Sequence, residues 1–265
     1  MDLATILGLV IAVVGLVGGY VLDKGALGAL IQPPAMLIVF GGTIGATLLS
    51  NKMKSFTSII RYLRIAFMAP KRDPHATIEQ LVDLATMARR EGILALEDHV
   101  DSFEDPFIRN GIRLIVDGID PELVKEMLET EISYIEQRHE VGINLFESAA
   151  GFAPTMGIIG TVMGLVHVLG SLSDVSKLGP EIATAFIATL YGVASANVFW
   201  MPIGNKLRVR SQEEILEREM SVEGILSIQA GENPNVLRQK LMSFLAASER
   251  TDKKAGVTSG AAQEA

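Results

Sequence analysis

FAPTMGIIGTVMGLVHVLGS, residues 152–171, and LGPEIATAFIATLYGVASANVFWMPIGNKL, residues 178–207, are the stretches whose reading decides the fold. Each is long enough to cross the roughly 30 Å hydrocarbon core of a bilayer as a helix. The short SDVSK connection makes the two helices antiparallel neighbours, a membrane hairpin. Gly160 and Gly164 stand four residues apart, the spacing that lets two helix backbones approach closely. Proline interrupts each helix toward the same end, at Pro154 and Pro202, and frees a carbonyl that a neighbour, a hydroxyl or water must satisfy. Thr155, Thr161, Thr184 and Thr189 bring hydroxyls into these helices. The hairpin therefore reads as the wall of a polar pathway. The competing reading is that threonine only fills a small-residue packing face.

Outward from the hairpin, two further stretches are free of charge. Leu3–Leu22 is a first span, with neither the basic start nor the cleavage site of a signal peptide. A second span runs from about residue 31 to 50, opened by Pro33 and Pro34, whose missing N–H groups suit a helix start. Gly41 and Gly45 predict a close-packing face on it. Lys52, Lys54, Arg61, Arg64, Lys71 and Arg72 come after the second span, and Lys206, Arg208 and Arg210 after the fourth. By the positive-inside rule these polar segments, and both termini, are cytoplasmic. The sequence thus predicts an all-α membrane protein with four transmembrane helices and a helical cytoplasmic domain. Its expected parts are spans 1 and 2 at residues 1–50, a cytoplasmic loop at 51–147, and the ion-path hairpin at 148–204. Cytoplasmic helices at 205–247 and a disordered tail at 248–265 complete it.

The chain of 265 residues is 49% hydrophobic yet 20% charged, so the two kinds of residue must be segregated. Zero cysteines exclude disulfides, thiol catalysis and cysteine metal sites. A net charge of −8 argues against nucleic acid as a partner. His139 in HEVGI lacks the second histidine of a zinc-protease helix and reads as an exposed residue on an acidic helix. In the cytoplasmic segments, Thr77 and Gln80 predict a capping box with a stop at Gly92. Asp120 and Pro121 open an acidic helix that runs on into the third span. The helix after the fourth span ends at GENP, and a last one covers about residues 235–246.

An ion path normally carries an ionisable residue at mid-depth. Here Glu181 and His167 lie toward the outer ends, where they read as interfacial, and no Asp occurs in any span. Paired aspartates or a buried Ser–His pair are missing, so the chain reads as no enzyme. Thr161 and Thr189 fall near the middle of their helices, at one depth. Hydroxyl and carbonyl oxygens help replace the hydration shell of a hard cation without offsetting its charge. A conducting chain of this kind needs an acid from another chain.

FAPTMGIIGTVMGLVHVLGS, ATLYGVASANVFWMPIGNKL, ARREGILALED (residues 88–98) and EGILSIQAGENP (residues 223–234) together closely resemble the MotA/PomA family of flagellar stator subunits, over nearly the whole chain except the tail. The resemblance implies a homo-oligomer, a pentamer, around two copies of a single-span MotB/PomB partner that supplies a membrane aspartate. It implies a multi-pass protein of the bacterial inner membrane with no cofactor beyond the transported cation. Pro154 and Pro202 match the family's two functional prolines. Arg89 and Glu97, with Arg90 beside them, match the charged residues that engage the rotor protein FliG; from their positions alone they could equally be a helix-end cation pair and a solvated acid. Thr161, where proton-driven members carry Ala, and LYGVASAN favour Na+, whereas Ala188 replaces one of two adjacent threonines of sodium-driven members and keeps H+ open. An ExbB/TolQ-type energiser subunit and a passive membrane scaffold are the alternatives; four spans and ARREGILALE favour the stator.

Overall fold

The computed structural model describes residues 2–68, 73–100, 103, 105–170 and 175–250. Lys71, Arg72, the first residues of the SDVSK connection and the tail from Thr251 lie outside that set. The described residues are helical, without a strand. In chain order the helices are α1 (Leu3–Leu22), α2 (Pro33–Met36), α3 (Gly42–Ser50), α4 (Met53–Thr57) and α5 (Ile59–Phe67). Next come α6 (Pro74–Glu91), α7 (Glu97–Val100), α8 (Pro106–Val116), α9 (Pro121–Gly170), α10 (Val175–Ser195), α11 (Met201–Gln229) and α12 (Pro234–Met242).

Four helical stretches are long and apolar enough to span: Leu3–Leu22, Leu27–Ser50, Pro121–Gly170 and Leu178–Gln229. Twenty residues of α1 rise about 30 Å, the thickness of the hydrocarbon core, and none of its side chains is buried within the chain. That is the signature of a helix solvated by lipid or by another chain. The second span begins at Pro33 and Pro34 as their chemistry predicts, and α2 passes into α3 through a π-helical stretch, Leu37–Gly41. Residues of α9 number 50, about 75 Å of helix, so its acidic first half runs without a break into the third span. The fourth span is likewise part of a longer helical run, in which α10 passes through a π-helical stretch, Ala196–Trp200, into α11.

The chain divides into two compact units. One, Met1–Pro70 with Gln137–Ser211, holds the spans. Its core includes Ala66, Ile143, Leu145 and Phe146, with Ile203 and Leu207 from α11. The other unit is Lys71–Glu136 with Gln212–Ala265. There α6, α8, α12 and the parts of α9 and α11 that belong to it enclose a core with Ile78, Leu81, Ile112, Leu128 and Ile225 fully buried. Gly111 sits close against that core, since a Cβ there would lie 2.4 Å from Ile225 Cδ1 and the isoleucine would have to shift.

Local starts and stops differ from the sequence expectation at several places. The predicted capping box at Thr77 does not form, because α6 starts at Pro74, one residue after Asp73. Asp73 accepts from the N–H groups of His75 and Ala76 at 3.1 and 3.2 Å, and Asp before Pro is a stronger start than Thr before three helix formers. Gly92 does end this helix, with φ of 91°. The last helix is α12, capped by Asn233, whose side chain accepts from Asn235 N–H at 2.9 Å. His139 is half-buried instead of exposed, its Nδ1 2.9 Å from Oγ of the buried Ser211. The predicted face of Gly41 and Gly45 finds no close neighbour within the described chain, and Gly42 is the tight position, its Cβ site 2.7 Å from Met156 Sδ.

Candidate functional site

The hairpin is packed through its backbone. A Cβ on Gly157 would meet Ala188 O at 2.9 Å, and one on Gly192 would meet Ala153 O at 2.4 Å. Gly160 and Gly164 face the methyl groups of Ala188 and Ala185 in the same way, so the seam predicted from the glycine spacing is real and runs over about two turns. Close approach is what brings polar atoms of the two helices together. Thr161 Oγ1 lies 2.5 Å from Thr189 Oγ1, 3.1 Å from Gly157 O and 3.0 Å from Ala185 O. Thr189 Oγ1 reaches Gly157 O at 3.5 Å.

These four oxygens have two hydroxyl protons between them, and each hydroxyl has two lone pairs. The cluster is therefore richer in acceptors than in donors. Thr161 is nine residues, about 14 Å, from the end of α9, and Thr189 eleven residues, about 16 Å, from Leu178, so both lie near mid-span. Thr155 is not part of this cluster. It is exposed, and its hydroxyl donates to Phe152 O at 2.7 Å instead of to the carbonyl that Pro154 frees, that of Ala150. Thr184 bonds Pro180 O at 3.0 Å.

The two prolines sit in different settings. Pro154 is half-buried inside α9, with no change of helix type around it. Pro202 is exposed and comes just after the π-helical stretch at Ala196–Trp200, whose wider turn makes room for a proline ring that would strain an ordinary helix by about 3 kcal/mol. The carbonyls of Asn197 and Val198, which stand five and four residues before Pro202, both lie within that stretch.

Sequence reasoning passed over three polar residues of the spans. Tyr191 OH accepts from Gln32 N–H at 3.0 Å and donates to Leu30 O, tying the fourth span to the entry of the second; its position in LYG was visible, its reach was not. Thr47, buried, donates to Thr43 O at 2.7 Å, and the buried Thr43 Oγ1 has no partner among the described residues. Their four-residue spacing was the available signal. At the end of α1, Asp2 pairs with Lys206 and with Arg210 Nη2 at 2.7 Å. The hydrogen bond from Lys206 is the largest influence holding its carboxyl below the usual carboxylate range.

In the other unit, Arg89 and Arg90 occupy the last turn of α6 and Glu97 the first residue of α7, on either side of Gly92. All three side chains are exposed. Arginine in that turn also complements the helix dipole.

The fold defines an all-helical chain with four stretches long and apolar enough to cross a membrane. Residues 99–220 match the MotA/TolQ/ExbB proton channel family, and residues 6–92 match the Motility protein A N-terminal family. Motility protein A of Bacillus subtilis (strain 168) is 37% identical over 254 residues, covering 94% of this chain and 93% of that one. Among solved structures, C. jejuni MotAB superposes with a TM-score of 0.90 at 30% identity, covering 96% of this chain and 100% of that one. The flagellar MotAB stator complex from Bacillus subtilis gives 0.87 at 36% identity, covering 92% and 97%. The chain belongs to the MotA/TolQ/ExbB proton channel family, whose members are membrane subunits and not enzymes.

Proposed function

We propose that the chain is a subunit of a flagellar stator. With a single-span MotB/PomB-type partner that brings the membrane aspartate, it couples cation flow across the bacterial inner membrane to torque on the rotor protein FliG. Several copies, five in this reading, surround the partner's spans, and both termini face the cytoplasm. Pro154 and Pro202 are the joints of the coupling, while Arg89, Arg90 and Glu97 meet the rotor. The likeness to two MotAB structures supports the partner and the oligomer. The basic residues after the second and fourth spans support the orientation.

The Thr161–Thr189 hydroxyl pair carries the ion reading. Four oxygens held at mid-span by a glycine seam suit a hard cation that exchanges its water shell for protein oxygens, and the partner's carboxylate offsets its charge. Na+ is the reading this favours. H+ is the second reading, supported by the buried, hydroxyl-free Ala188 beside the pair and by the family's description.

Swimming speed at constant proton-motive force, with sodium replaced by potassium, separates them. With Na+ as the ion, speed falls with sodium, Thr189→Ala abolishes motility, Thr161→Ala reduces it, and Thr→Ser at either position keeps most of it. Speed independent of sodium makes the motor proton-driven and returns both threonines to packing or proton-relay roles.

A further inference from the structure

The N-terminal end of α1 is tied to α11 beyond Pro202. Asp2 caps its own helix through Thr5 N–H at 3.4 Å, and its own N–H donates to Phe67 O at 3.0 Å, which anchors it to the end of α5. Its carboxylate then takes two cations, Lys206 and Arg210. These stand four residues apart on one face of α11, one and two turns past Pro202. The side chain of Asp2 is 11% exposed and that of Arg210 15%, so the contact is partly covered by the chain.

Beside this tie lies a cavity of about 300 Å³, lined by Gly8 and Ala12 of α1, by Phe67, and by Asn197, Pro202 and Ile203. That is room for about ten waters' share of liquid volume, along a part of the helix that lacks one backbone hydrogen bond and contains a π-helical turn. The helix is soft at Pro202, has space on one side, and is tethered just beyond. A tether placed past a soft joint decides which position the joint adopts.

We propose that Asp2 is a positioning residue that, through Lys206 and Arg210, holds the segment after Pro202 against α1, beside a cavity that leaves the segment without packing support on that side, so that it swings away from α1 when the tie opens. This rests on the reading of Pro202 as a coupling joint. Asp2's lowered pKa fits a permanent tie: its contribution is present above the ordinary value of 3.8 and is lost only as pH falls through the depressed value, so cytoplasmic pH does not open it.

The chain has no cysteine, which makes the test direct. Cysteines introduced at Ala4 and Ile203, both on the cavity wall, are bridged by a short bifunctional reagent in membranes carrying the full chain with its partner. Asp2→Asn is expected to lower the cross-link yield by roughly tenfold at unchanged membrane abundance, because it removes the charge-assisted bonds and keeps the shape. Asp2→Glu restores part of the yield, and the double variant Lys206→Gln, Arg210→Gln reproduces the loss from the other side. Swimming falls together with the cross-link in these variants. A parental yield in Asp2→Asn overturns the proposal. So does disappearance of the chain from the membrane in Asp2→Asn and in the double variant alike, which would make the contact a folding element. The cross-link needs no rotation, so it stands or falls apart from the sodium and threonine results that judge the stator reading.

Discussion

The hairpin and the core of the other unit use the same aliphatic residues in opposite ways. In the hairpin Ile158, Ile159, Val162 and Val166 point away from the chain and the seam is made by Gly157, Gly160, Gly164 and Gly192. In the other unit Ile78, Leu81, Leu128 and Ile225 are wholly buried, and the edges carry charge pairs such as Arg218–Asp105 and Lys240–Glu223. The solvent explains the inversion. Apolar surface gains about 25 cal/mol per Å² on leaving water, but gains nothing on leaving lipid, so membrane helices associate through backbone contact and van der Waals fit. Burial therefore reports stability in one region and says little of it in the other.

The comparison is broken most severely at the seam. Gly192→Leu places a side chain where even a Cβ lies 2.4 Å from Ala153 O, and neither backbone can yield. Loss of the chain from the membrane fraction, read by immunoblot, is the expected outcome; normal accumulation with normal swimming would mean the helices are not packed this closely. In the other unit the largest effect comes from a cavity. Leu128→Ala is expected to cost about 2–5 kcal/mol, seen as faster protease cleavage of the purified complex with the spans still inserted.

A smaller effect is charge-dependent. Glu223 foremost, and then Glu232, hold the Lys240 ammonium above its ordinary value of 10.5, against the cost of partial burial. Its contribution is complete below that value and is lost as pH rises through the raised one. The protection factors of α12 amides, which discount the intrinsic rise of exchange with pH, should therefore be level through neutral pH and fall in strong alkali, and Lys240→Met should flatten that response. The smallest effect belongs to the exposed end of α6. Charge pairs in water are worth about 0–1 kcal/mol, so Arg89→Glu should leave assembly intact, reduce swimming partly, and regain speed when a rotor charge is reversed to match. Unchanged torque at low stator number would reduce Arg89 to a helix-end cation.

The spans, the helical class and the continuity of α9 were legible in the sequence because each rests on one-dimensional properties: length, absence of charge, and the place of proline and glycine. The helix ends were legible only in part. Thr77 looked like a cap, and Asp73–Pro74 took the start because local competition between two caps is settled by the better one. Tertiary structure alone decided the rest. It chose Gly42 over Gly41 and Gly45 as the tight glycine and paired His139 with Ser211. It also brought Thr161 against Thr189 and Asp2 against Lys206, more than two hundred residues away along the chain. Periodicity fixes which face of a helix is apolar or polar, but the rotation of one helix against another is set by side-chain interlock that no single helix contains.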